Sequence, residues 1–197
     1  MRDALPMSTR PPEVVLVRHG ETEWTLSGRH TGHTDIPLTD RGREEARALA
    51  AELAGRRFAL VLTSPLARAA ETCRLAGLGE HACERDELKE WDYGAYEGRT
   101  TLDIRREQPG WTLWHDGVPA GETAAQLATR VDRVIVELRS AAGDAAVFAH
   151  GHVLRVLAAR WLGLEPAAGR FFALDPATIS ILGYEREAPV VRAWNMR

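Results

Sequence analysis

A chain of 197 residues is long enough for one α/β domain of ordinary size. Its formal net charge of -3 excludes a general nucleic-acid binder, which needs a basic excess, and its 45% hydrophobic content is enough for a core. No stretch approaches the roughly 18 apolar residues of a membrane-spanning helix, so no membrane partner is expected.

Residues 1–13 contain three prolines and no apolar run, and are expected to be a flexible tail rather than a signal peptide or an anchor. Met7 is an alternative start to Met1. Residues 14–197 are expected to form a single domain. Residues 14–17 are a continuous β-branched apolar run, the pattern of a strand buried on both faces. A polar loop follows to Pro37. Thr39 is then placed as the N-cap, with Asp40 in the first turn, of a helix running to about residue 53. Residues 60–63 read as a second buried strand. Ser64-Pro65 has the features of a helix start, a capping hydroxyl and a proline at the first position, for a helix ending near Gly77 with Arg68 in its first turns.

Cys73 and Cys83 have no CxxC or zinc-type spacing and read as reduced thiols of a cytoplasmic protein. Residues 84–119 are rich in Trp, Gly and charge and are expected to be loops around one short helix at 101–107. The period of Leu127, Val131, Val134, Ile135 and Leu138 predicts a helix over 121–142. Residues 145–149 read as a third buried strand and 153–162 as the helix leaving it. Two last strands, at 179–184 and 190–194, are placed at the sheet edge. Strands alternating with helices predict an α/β three-layer sandwich with a mainly parallel sheet.

Three predicted strands run directly into polar, reactive residues: Arg18-His19-Gly20, Ser64-Pro65 with Arg68, and His150-Gly151-His152. In open α/β sheets the carboxyl ends of strands share one edge, where ligands bind. Two arginines meeting there suit a tetrahedral dianion, because a guanidinium presents paired donors to phosphate oxygens. A neutral histidine nitrogen in such a pocket can attack phosphorus. A lone histidine at a strand end is nonetheless more often a structural hydrogen-bonder. His150-x-His152 and His30-x-x-His33 also have metal-ligand character, but no acidic or cysteine cluster completes a usual set, so a catalytic metal is not expected. These residues alone point to an anion site and leave its mechanism open.

The motifs LVRHGETEW (16–24), TGHTDIPLTDRG (31–42), TSPLARAAET (63–72), LKEWDYGAYEG (88–98), AGET (120–123) and FAHGHVLR (148–155) resemble, in kind and order, those of the histidine phosphatase superfamily, also called phosphoglycerate mutase-like. The resemblance implies roles by position. His19 is the nucleophile that becomes phosphorylated. Arg18, Arg68 and His150 bind the phosphoryl group and stabilise its developing charge. Glu90 donates the proton to the leaving oxygen, which implies good activity in mildly acidic buffer. Thr31 and Gly32 belong to a loop that touches substrate, and the Gly151 backbone assists. Many relatives have asparagine where this chain has Thr25, whose hydroxyl is expected to donate to phosphate instead. The family needs no metal or organic cofactor, and homodimers are common in it.

EWDYGAYEG, Trp111-x-x-Trp114-x-Asp116-Gly117 and FAHGH are similar to a subgroup of broad acid phosphatases and sedoheptulose-1,7-bisphosphatases. Mutases of the family carry a longer insertion after the catalytic glutamate, whereas here a short stretch separates Gly98 from Gly121. The resemblance therefore implies a phosphomonoesterase acting on small phosphorylated metabolites. A phosphoglycerate mutase and a regulator acting on phosphoproteins stand as alternatives. Trp91, Tyr93 and His115 are the candidate specificity contacts.

Overall fold

The structure, a computed structural model, describes residues 11–197. Most of the expected tail, including the alternative starts Met1 and Met7, lies outside the described residues. Six strands, β1 (Val14–Arg18), β2 (Leu60–Thr63), β3 (Ala82–Glu84), β4 (Ala145–Ala149), β5 (Ile179–Glu185) and β6 (Ala188–Met196), form one sheet in the order β3-β2-β4-β1-β5-β6. The pairs β2/β3, β2/β4 and β1/β4 are parallel, and β1/β5 and β5/β6 are antiparallel. The helices are α1 (Glu23–Ser27), α2 (Asp40–Leu53), α3 (Ala67–Leu75), α4 (Thr101–Glu107), α5 (Leu113–Asp116), α6 (Ala124–Arg139) and α7 (Gly151–Trp161).

The apolar runs of β1 and β4 have no polar alternation because both faces of the sheet are covered. Val15, Val17, Ala146 and Phe148 pack with Leu49 and Leu53 of α2 and Cys73 of α3. Leu16 and Val147 pack on the other face with Val131 and Val134 of α6 and Leu154 and Leu157 of α7. Burying each such aliphatic side chain stabilises by roughly 2 kcal/mol, so a polar residue on either face would have no compensating gain. The α/β sandwich is thus the one expected.

Local chemistry sets most of the helix starts. Thr39 accepts from Gly42 N at 3.0 Å and caps α2. Thr123 and Gln126 form the capping box of α6, which begins three residues later than expected, at Ala124. Ser64-Pro65 does not start α3. Leu66 occupies the N-cap without a side-chain bond, and the Ala67 N–H is capped by Asp35 Oδ1 at 2.9 Å. Ser64 Oγ accepts from Leu66 N at 3.3 Å and pairs with His150, which removes it from the helix. Three further differences concern short or edge elements. The loop to Pro37 contains α1, residues 82–116 contain β3 and α5, and β5 lies inside the sheet between β1 and β6. Both cysteines are free.

Candidate active site

Arg18 lies opposite Ala149 and Thr63 opposite Phe148, so the next residues, His19, Ser64 and His150, come off the sheet along one edge. Neighbouring β1 and β4 send their chains in opposite directions, β1 through α2 to β2 and β4 through α7 to β5. A crevice forms at such a reversal, and ligands bind there.

His19 is 3% exposed. Its Nδ1 is 2.8 Å from the carbonyl of Gly20, and a carbonyl can only accept, so Nδ1 carries the proton and Nε2 keeps its lone pair. Burial, and then the guanidiniums of Arg68 and Arg18, hold its pKa well below the usual histidine range. The ring is therefore a neutral, pre-oriented base. Gly20 abuts the backbone of Gly42, and a side chain on either would strike the other strand of this contact. That close approach brings the TDRG segment against the residue that follows His19.

Behind His19, Arg68 Nε donates to His150 Nδ1 at 3.1 Å, and the His150 Nε2–H turns to Ser64 Oγ at 2.8 Å. The two imidazoles, of His19 and His150, stand 5.1 Å apart, edge to face. The rest of the Arg68 fork donates to the carbonyls of Thr34, Thr31 and Gly32 at 2.9, 3.2 and 2.8 Å. Glu97 grips the same loop from the other side, accepting from Gly32 N at 2.8 Å and Thr34 N at 3.2 Å. A side chain at Gly32 would come within 2.5 Å of Glu97 Oε2, so only glycine fits this clamp.

Arg18 projects under the start of α7. Its Nη1 donates to Leu174 O, and its Nε is, among the described residues, the one buried side-chain nitrogen or oxygen without a hydrogen-bond partner. Gly151 sits directly over that guanidinium, and a side chain there would lie in ordinary contact with it, 3.4 Å from Arg18 Cζ. Glu90 is 4% exposed and accepts three backbone N–H bonds, from Trp91 and Val153 on Oε1 and from His152 on Oε2, each at 2.9 Å. Two of these donors are in the first turn of α7. Arg130 secures the Glu90 loop by donating to the carbonyls of Lys89 and Glu90 at 2.6 and 3.1 Å while paired with Glu122 at 2.7 Å.

These groups meet at a cleft of about 200 Å³, lined among others by Arg18, His19, Thr25, Thr31, Glu90 and Gly151. Tyr93 also lines it. Arg68 and His150, both fully buried, lie beneath the cleft, and Gly32 lies within the loop clamp. Two candidate specificity residues fall elsewhere. Trp91 is fully buried, its indole N–H donating to Glu122 O at 2.7 Å, and His115 is exposed on α5 outside the cleft. Thr25 is in the cleft, and its hydroxyl donates to Thr22 O at 2.8 Å in the α1 capping box. Among the described residues no three His, Cys, Asp or Glu side chains are grouped as a metal site.

A sequence profile of the histidine phosphatase superfamily (branch 1) matches residues 14–197. The chain belongs to that superfamily. An acid phosphatase of Mycobacterium tuberculosis is 41% identical over 184 residues, covering 91% of this chain and 90% of that protein. A sedoheptulose 1,7-bisphosphatase of Saccharomyces cerevisiae is 36% identical, covering 80% of this chain and 70% of that one. The solved structure of a Mycobacterium tuberculosis open reading frame superposes with a TM-score of 0.90 at 38% identity, covering 95% of this chain and 98% of that one. The chain is thus a phosphatase of the histidine phosphatase superfamily with a phosphoglycerate mutase-like fold.

Within this histidine phosphatase, sequence reasoning missed Arg29, Arg155 and Leu174 as cleft residues, and it named His30 and His152 only among the polar motifs and as residues of metal-ligand character; all five line the cleft. For Arg155 a signal was available. It is four residues past Gly151, hence on the helix face that Gly151 presents to the site. Arg29 and Leu174 come from turns with no such periodicity. Among the described residues no helix is long and apolar enough to cross a membrane.

Proposed function

We propose that this phosphatase hydrolyses phosphate monoesters of small metabolites, sugar phosphates among them, through a phosphohistidine on His19. The observation that carries this reading is the His19 Nδ1 bond to Gly20 O, which leaves a neutral Nε2 lone pair in a residue that lines the same cleft as Arg18. Nε2 attacks phosphorus, the P–O bond to the substrate breaks, and the leaving alkoxide takes a proton from Glu90. Glu90 Oε2 accepts a single N–H, so it keeps a lone pair to carry that proton. The Glu90 carboxylate then takes a proton from water, which attacks phosphorus, breaks the P–N bond and releases phosphate. Arg18 stabilises the charge on the transferring group, and Arg68 with His150 keeps the field behind His19 positive and its ring neutral.

Hydrolysis is favoured over transfer to an organic acceptor by the segment between Gly98 and Gly121. It buries Ile104, Trp111 and Leu113 in the core instead of extending as an insertion over His19. The names of the acid phosphatase and bisphosphatase relatives support the same reading.

The test is phosphate release, with chelator present, from 3-phosphoglycerate, fructose 1,6-bisphosphate, an aryl phosphate and a phosphopeptide, with His19→Ala alongside. Release from the small esters that vanishes in the variant is expected. Isomerisation of 3-phosphoglycerate without release would establish a mutase instead, and a much faster reaction on the phosphopeptide would establish a regulator.

A further inference from the structure

Past His19 the cleft continues along α7, where His152 and Arg155 share its wall with Gly151. Arg155 is half-buried and held from two sides. Its Nε and Nη2 donate to the carbonyls of Gly169 and Arg170 at 3.0 and 3.4 Å, and its guanidinium lies 4.7 Å from the centre of the Trp114 ring. Among the described residues no carboxylate lies within ion-pair distance of it, and Nη1 has no hydrogen-bond partner although it is not sealed from solvent. Burial lowers the pKa of this guanidinium, a cost that packing on carbonyls and an indole face offsets only in part. The charge of Glu90 acts on it across the cleft but from beyond ion-pair distance, so a cation positioned this firmly beside the reacting centre is poised for an anion from outside.

His152 adds a donor. Tyr93 OH lies 2.6 Å from His152 Nδ1. The other ring nitrogen, Nε2, has no partner among the described residues, and it carries the proton when the Tyr93 hydroxyl donates to Nδ1. Arg29, in the turn after α1, lines the same cleft and is also without a carboxylate partner among the described residues. The one carboxylate lining the cleft, Glu90, is engaged by backbone N–H groups.

We propose that Arg155, with the Nε2–H of His152 and with Arg29 at the rim, forms a second anion subsite that selects phosphate esters carrying another anionic group beyond the ester that is cleaved. Doubly anionic substrates, a bisphosphate or a phosphorylated acid, are then the preferred class. This rests on the phosphatase reading given above.

The experiment compares wild type, Arg155→Gln and Arg155→Lys on four substrates. Fructose 1,6-bisphosphate and 3-phosphoglycerate carry a second anion; glycerol 3-phosphate and an aryl phosphate do not. One charge-assisted contact corresponds to about tenfold or more in KM, so Arg155→Gln is expected to raise KM for the first two by that much, with about threefold change or less for the others. Arg155→Lys is expected to restore part of the loss. Equal loss on all four substrates would overturn the proposal and place Arg155 in phosphoryl binding or in folding. No change on any would overturn it as well. A wild-type protein that releases phosphate from the aryl ester alone would sink the subsite and leave the phosphatase reading standing, whereas release from none of the four would overturn both.

Discussion

The bond from Arg68 Nε to His150 Nδ1, at 3.1 Å, decides which nitrogen of His150 carries its proton, and the same guanidinium holds the loop that forms one side of the cleft. One buried side chain therefore couples the tautomer of a site histidine to the position of Thr31.

Arg68→Lys tests that coupling. A lysine ammonium keeps the charge but cannot reproduce a planar fork spanning His150 and three carbonyls. Leaving buried acceptors without donors is expected to cost about 3 kcal/mol. A lower melting temperature together with a large fall in kcat should follow. Unchanged melting with unchanged kcat would show that the loop is held by Glu97 alone.

Gly42→Ala tests the backbone contact beside the nucleophile. The added methyl would meet the carbonyl oxygen of Glu21 and lie 2.8 Å from its nitrogen, so the segment after His19 has to move. Overpacking of this kind costs roughly 2 kcal/mol, and kcat should fall with it. Gly55→Ala is the control. Gly55 has φ of +80° and open space around it, so a cost of about 1 kcal/mol with unchanged kcat is expected. Equal kcat in both variants would separate the contact from catalysis.

Glu90→Gln removes the proposed proton donor and turns an amide toward backbone N–H groups that need acceptors. Loss of general acid catalysis is expected to reduce kcat about 1000-fold for an alkyl ester such as glycerol 3-phosphate, and far less for a nitrophenyl ester, whose leaving group needs no proton. Equal reductions for both would remove Glu90 from that role.

The histidines predict how stability depends on pH. Burial is the leading cause that holds His19, His150 and His152 well below 6.5, and it holds His30 at about 4. Below 6.5 the unfolded chain takes up protons that the folded one refuses, so stability is full above that value and is lost as pH falls from 6.5 toward 4. Melting temperature should be flat above neutrality and should decline through that window. Because His19 stays neutral there, kcat/KM should not fall tenfold per unit on passing below 6.5 while the protein remains folded. A fall of that slope would mean that the nucleophile titrates as an ordinary histidine.

Much of this was legible in the sequence because strong local signals agreed with the fold. Two-sided burial left β1, β2 and β4 as apolar runs, and each ran into the residue that the sheet edge presents. Thr39 announced α2 by the same hydroxyl bond that the structure shows. Ser64 misled because its hydroxyl serves a partner distant in sequence, His150, while α3 takes its cap from Asp35. Long-range bonds of that kind leave no local pattern. Thr25 illustrates the reverse: its hydroxyl makes a local bond in the α1 cap. His115 and Trp91 could not be separated from Tyr93 by residue type, since only packing decides which aromatic face meets the cleft.

The most direct test of the central claim is to trap the intermediate. Wild type and His19→Ala would be mixed with excess ³²P-labelled substrate, quenched in alkali within milliseconds, and mapped by peptide mass spectrometry. Label that survives alkali, is lost in acid, maps to His19 and disappears in the variant is the predicted result. Phosphate released by wild type at full rate with no label on His19 at any time point, and release persisting in His19→Ala, would contradict it.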